Sequence, residues 1–295
     1  MLYCLLLGCL ISLLIIPLML LPGLRHCLFR RGARIDLDEP SGKAEGQSLS
    51  RSGGVALAAA FIGVSLLICF LYPAAWAEKG RISLGIVWTA LAMFFVGIWD
   101  DLRPLGVGRK LLVQTLISIA ACVQGIHLEV FNSPFQGITS HLGIWSWVLT
   151  VLWLVALTNL FHRFDAINGL AGGVGFVVLS LLAYAGAAAG VGFPTLCAIG
   201  MAGALLGFLV YNLPPARIGM GGGGAALIGF LIANFSITHP DKETSMAATL
   251  VLLLPLLGVC LAIWPGSAPV SPSLGRKWVS RRWTALGVSH PRNRS

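Results

Sequence analysis

The chain has 295 residues, of which 57% are hydrophobic and 11% charged, with a mean hydropathy of +0.86 and a formal net charge of +9. Soluble domains carry about 25% charged residues, so this composition excludes an ordinary water-soluble fold and makes lipid the solvent for most of the chain. The positive balance raises nucleic acid as a partner, but the placement of the charges argues against it.

In chain order, apolar stretches of about 20 residues, enough to cross a bilayer as a helix, fall near 2–24, 54–73, 82–99, 111–126 and 144–161. Four more follow near 169–187, 191–211, 224–239 and 247–265. The expected fold class is all-α: a polytopic transmembrane helix bundle of about nine spans. It forms one integral domain, 1–265, with a basic tail, 266–295, whose Ser/Arg/Pro-rich composition predicts disorder. Leu6-Leu7-Gly8-Cys9 has the look of a lipoprotein cleavage box. No basic segment precedes it, however, and the apolar run continues to Leu24, so a retained helix is expected. The segment 25–53 reads as a charged, then Ser/Gly-rich loop, and 127–143 has room for a short hairpin or a surface helix. Seven scattered cysteines form no C-x-x-C pair, which indicates neither a zinc site nor a disulfide framework.

Nine spans put the two termini on opposite sides, and Lys/Arg placement chooses which. Of 20 basic residues, 17 lie in 25–53, 100–110, 162–168, 212–223 and 266–295. The opposite loops hold only Lys79, Arg81 and Lys242. The N-terminus is therefore expected outside, the tail in the cytosol, and the basic excess is mainly a topology signal.

Only 11 acidic residues exist, so their positions are informative. Asp100, Asp101 and Asp165 each sit at an expected cytosolic helix end. An ionised group costs about 2.5–3.5 kcal/mol at the centre of a spanning helix and less near the interface. Adjacent aspartates also repel each other and face an unfavourable helix C-terminus. A cation should compensate: a metal, or Arg103, Arg109 and Lys110. A solvated helix end is the plain alternative.

A second polar constellation runs from Thr158 to Gly173 and holds Asn159, His162, Asp165 and Asn168. An unpaired amide such as Asn159 is costly inside an apolar run. His162 fits a proton carrier, a ligand or an interfacial side chain. The third constellation, Tyr211 to Ala225, holds Asn212, Pro214-Pro215, Arg217 and the glycines 221–224. Its glycine run reads either as a flexible turn or as an N–H cradle for an anion, with Arg217 as a phosphate fork.

Together Arg51-Ser52-Gly53-Gly54, Gly97-Ile98-Trp99-Asp100-Asp101, Lys110-Leu111-Leu112-Val113-Gln114, Asp165 to Gly173 and Asn212 to Gly224 resemble the polyprenyl-phosphate N-acetylhexosamine-1-phosphate transferases, glycosyltransferase family 4. The resemblance covers roughly residues 35–235. It implies transfer of a sugar 1-phosphate from a UDP-N-acetylhexosamine to a polyprenyl phosphate such as undecaprenyl phosphate, giving UMP and a polyprenyl-diphosphate sugar. It also implies Mg²⁺, the inner bacterial membrane with a cytosolic active face, and a possible homodimer. By position, Asp100, Asp101 and Asp165 take catalytic roles, and Lys110, Asn159, Asn168, Asn212 and Arg217 bind substrate. Asp101, Asp165 and His162 remain as metal ligands.

The departures cluster on the metal. The family's Met-Gly-Asp is Met220-Gly221-Gly222 here, an expected asparagine is His162, and imidazole suits Zn²⁺ better than Mg²⁺. The family's Asp-Gly is Asp165-Ala166, its next aspartate is Asn168, and its histidine-rich last loop has only His290 as a counterpart. The alternative function is a catalytically impaired homologue that binds lipid phosphate or nucleotide without turnover. A transporter is disfavoured, because there are no internal repeats and the polar sites share one face.

Overall fold

The computed structural model describes residues 1–20, 52–77, 80–127, 130–132, 139–141, 143, 145–214 and 216–238. The expected ninth span, the basic tail and most of the first loop lie outside these. Helix α1 spans Leu2–Leu20, α2 Gly53–Leu71, α3 Pro73–Ala77, α4 Gly80–Leu102 and α5 Val107–Val123. After strands β1 (Val130–Asn132) and β2 (Thr139–His141) come α6 Trp145–Phe164, α7 Leu170–Ala189, α8 Phe193–Asn212 and α9 Gly221–Thr238. The segment expected to be a hairpin or a surface helix is a hairpin: β1 pairs antiparallel with β2, Phe131 opposite Ser140.

Six helices, α2, α4, α6, α7, α8 and α9, are long and apolar enough to cross a membrane. The protein is thus a multi-pass helical membrane protein. Helix α5 falls outside that set, being 17 residues long with Arg109 and Lys110 near its start. Large apolar side chains on the outer faces, such as Phe70, Phe95 and Val210, are exposed. Lipid is their natural solvent.

In lipid every backbone polar group must bond internally, which favours helices over irregular chain. Several hydroxyls inside the helices follow the same rule by bonding back one turn. Thr150 Oγ1 donates to Ser146 O at 2.7 Å, Thr158 Oγ1 to Leu154 O at 2.7 Å, and Ser118 Oγ to Gln114 O at 2.8 Å.

Helix α9 is the centre of the bundle, with every residue from Gly221 to Ser236 buried. It packs against α4, α6, α2 and α7. Its glycine run is the first turn of a helix, which overturns the flexible-turn reading. The reason is proximity. A Cβ on Gly97 of α4 would lie 2.5 Å from Gly222 O and 2.6 Å from Gly223 Cα, and one on Gly54 of α2 would lie 2.5 Å from Gly224 N. Helices that approach this closely leave no room for side chains, so burial overrides the poor helix propensity of glycine.

Candidate functional site

One end of the bundle collects the C-terminal ends of α4, α6 and α8 and the N-terminal ends of α2, α5, α7 and α9. Backbone bonds tie two of the distant motifs directly. Gly53 N donates to Gly219 O at 3.0 Å and Gly54 N to Met220 O at 2.8 Å. The first N–H groups of α2, which a helix start leaves without partners, are thereby satisfied.

The two adjacent aspartates of α4 turn to different partners. Asp100 Oδ1 accepts the Leu105 N–H at 2.9 Å, closing the α4–α5 turn. Its Oδ2 accepts from Lys110 Nζ at 2.8 Å, an ion pair whose side chains are each 14% exposed. That low exposure keeps the pair from being a screened surface contact. The cation called for by the acidic pair is therefore Lys110. Arg103 and Arg109, by contrast, are exposed.

Asp101 Oδ2 accepts the Gly222 N–H of α9 at 2.7 Å. A Cβ at Gly222 would sit 2.8 Å from Asp101 Oδ1 and 3.0 Å from His162 Cε1. Helices α4, α6 and α9 thus bring Asp101, His162 and Gly222 to one point. His162 and Arg163 occupy the last turn of α6, where positive charge suits the helix dipole. One turn earlier, Asn159 Nδ2 donates to Gln114 Oε1 of α5 at 2.7 Å and to Val155 O at 2.8 Å. This answers the cost of its amide in an apolar run. Gln114 is buried and had been given no role. Its signal was an amide in the same apolar setting as Asn159.

The remaining site residues are more spread out. Asp165, half-buried, follows α6 directly, with its N–H on Phe161 O at 3.1 Å. Asn168 and Arg217 are exposed, and Arg217 N donates to Tyr211 O at 2.9 Å. Asn212 is buried and uses both ends of its amide. Its Oδ1 accepts the N–H of Gly169, and its Nδ2 donates to Ile218 O, both at 2.8 Å. Gly169 has φ +83°, which a side chain would strain. Asn212 therefore clamps the α6–α7 turn to the α8–α9 loop. Asn212→Ala would leave one buried and one partly buried backbone group short of a partner, so it should cost about 2 kcal/mol, read as a lowered unfolding midpoint of the purified protein.

The fit to Mg²⁺ can be judged from the donors. Among the described residues no three His, Cys, Asp or Glu side chains come together to hold a metal ion, so Asp101, Asp165 and His162 make no such group. Gly222 offers no side chain, and one oxygen of Asp101 is engaged by its N–H. The described residues thus form no three-donor cage that would hold Mg²⁺ by protein side chains alone. The α9 N-terminus, for which an anion cradle is one of the two sequence readings, faces the protein's own carboxylate.

Apart from Gly53 and Gly54, this gathering lies inside the part of the chain that matches a known family. Residues 83–239 match the model for glycosyl transferase family 4. A probable undecaprenyl-phosphate N-acetylglucosaminyl 1-phosphate transferase of Bacillus subtilis is 28% identical over 287 residues, covering 92% of this chain and 75% of that protein. A phospho-N-acetylmuramoyl-pentapeptide-transferase of Lactiplantibacillus plantarum is 27% identical over 228 residues, 72% of this chain and 70% of that protein. A putative UDP-N-acetylglucosamine–dolichyl-phosphate N-acetylglucosaminephosphotransferase of Saccharolobus solfataricus is 25% identical over 188 residues, 63% and 57% of the two chains. With the family model covering more than half of its length, the chain belongs to glycosyl transferase family 4.

Proposed function

We propose that this protein transfers a hexosamine 1-phosphate from a UDP-sugar to a polyprenyl phosphate for cell-envelope glycan synthesis. A lipid phosphate oxygen attacks the sugar-bearing phosphorus, the bond between the two phosphates of the UDP-sugar breaks, and its electron pair leaves with UMP. The lipid phosphate, with a second pKa near 6, is already largely dianionic at neutral pH. The protein's task is then to gather anions, more than to remove a proton.

The observation that carries this reading is the Asp100–Lys110 pair, held at a junction of helix ends inside the family-matched segment. Asp100 fixes the Lys110 ammonium, which meets the charge of the incoming phosphates. Arg103, Arg109 and Arg217, exposed near the same end, supply a positive field for two anionic substrates. The excess of Lys/Arg in these loops supports a cytosolic active face on the bacterial inner membrane. A Mg²⁺ requirement would come from the ion that a UDP-sugar brings on its own phosphates.

A second reading, binding of lipid phosphate or nucleotide without turnover, is favoured by one observation: Asp101 is taken up by Gly222, which carries no carboxylate of its own. Membranes containing the protein decide between them. The transferase reading expects UMP release from UDP-N-acetylglucosamine or another UDP-hexosamine that depends on added undecaprenyl phosphate. UDP-sugar binding with no UMP release from any of them supports the second.

A further inference from the structure

Asp101 presents a charge problem that the proposed reaction leaves unused. It sits at the C-terminal end of α4, where the helix dipole disfavours an anion, and beside a second carboxylate. Part of its compensation comes from α9, whose N-terminal end carries about half a positive charge. Gly221, with φ +76°, makes the left-handed turn that starts this helix, and the next N–H, that of Gly222, meets Asp101 Oδ2 at 2.7 Å. The bond is short, as charge-assisted bonds are.

The space around it is equally specific. Any Cβ at residue 222 would lie 2.8 and 3.0 Å from the two carboxylate oxygens and 3.0 Å from His162 Cε1. A side chain there would have to push Asp101 off its N–H, push the imidazole away, or both. Among the described residues no three-donor metal group exists to take over the carboxylate.

We infer that the N-terminus of α9 holds Asp101 in the place a resident divalent ion would take, and that Gly222 and His162 are an interdependent pair that keeps this junction closed. Asp101 is thus a clamp between α4 and α9. A phosphate ligand is then met by Lys110 and the exposed arginines, not by an ion on Asp101. This goes beyond the transferase reading, because it concerns the protein without substrate and holds whether or not turnover occurs.

The test uses the full chain purified in detergent, with Mn²⁺ alone as the probe and free Mn²⁺ read by electron paramagnetic resonance. The wild type and Asp101→Asn should give the same titration with no saturable site. Asp101→Asn should still lower the unfolding midpoint, and by the same amount with and without Mn²⁺. Gly222→Ala should lower the midpoint as well, and adding His162→Ala should recover part of that loss. A saturable Mn²⁺ site in the wild type that Asp101→Asn removes would overturn the metal-free clamp. Strictly additive effects of Gly222→Ala and His162→Ala would overturn the pair.

Discussion

Lys110→Ala should reduce kcat/KM for UMP release by roughly 10²–10³-fold, the range seen when one preorganised donor to a developing charge is removed. The argument rests on what the ammonium offsets. Asp100 and Asp101 are adjacent in sequence, Asp100 meets Lys110 at 2.8 Å, and both side chains of that pair are only 14% exposed. Without Lys110, Asp100 keeps the Leu105 N–H but loses its ion-pair partner, and any phosphate entering the site meets two carboxylates. Stability should fall as well, by about 1–3 kcal/mol, between the worth of a screened surface pair and the cost of breaking a buried one from one side. Asp100→Asn should cost less stability, because it removes a buried charge and leaves an oxygen able to accept the Leu105 N–H. Kinetics and unfolding midpoints measured on the same preparations separate the two effects. Activity that survives Lys110→Ala intact would remove this residue from the site.

Gly97→Ala should cost about 3 kcal/mol, the upper end for overpacking, and leave little monodisperse protein after detergent extraction. The added methyl would lie 2.5 Å from Gly222 O, 2.6 Å from Gly223 Cα and 2.8 Å from Gly222 C, all backbone atoms with no rotamer to adjust. Helix α4 would have to withdraw from α9, loosening the bond between Asp101 and Gly222. A matched control sits on α5: Gly108 has nothing within 4 Å of a built Cβ. Gly108→Ala should be neutral, or stabilising by up to about 1 kcal/mol through helix propensity. If Gly97→Ala purifies and unfolds like the wild type, the close approach of α4 and α9 is not as tight as described.

How much of this was readable from sequence follows from what lipid enforces. A bilayer demands long apolar helices, so the expected spans at 54–73, 82–99 and 169–187 lie within a few residues of α2, α4 and α7. The acidic pair was found by its cost, and Lys110 was among the three cations named to offset it. Other features depend on partners far away in the chain. The glycines at 221–224 look like a turn locally, and only the burial of α9 between α4, α6 and α2 makes them helical. Asn212 serves Gly169, 43 residues away, and Ile218, a pairing that no local pattern announces. His162 stayed open between three roles because its neighbour at 222 comes from another helix.

The most direct measurement of the central claim follows one phosphorus atom. Purified protein is given undecaprenyl phosphate and UDP-N-acetylglucosamine labelled in the phosphate next to the sugar. A transfer of sugar 1-phosphate carries the label into the lipid fraction and leaves unlabelled UMP in the aqueous one, with both signals slowed in Lys110→Ala by the roughly 10²–10³-fold expected above. Label that remains entirely water-soluble with every UDP-hexosamine supplied, under conditions where the protein is folded and binds the nucleotide, would contradict it.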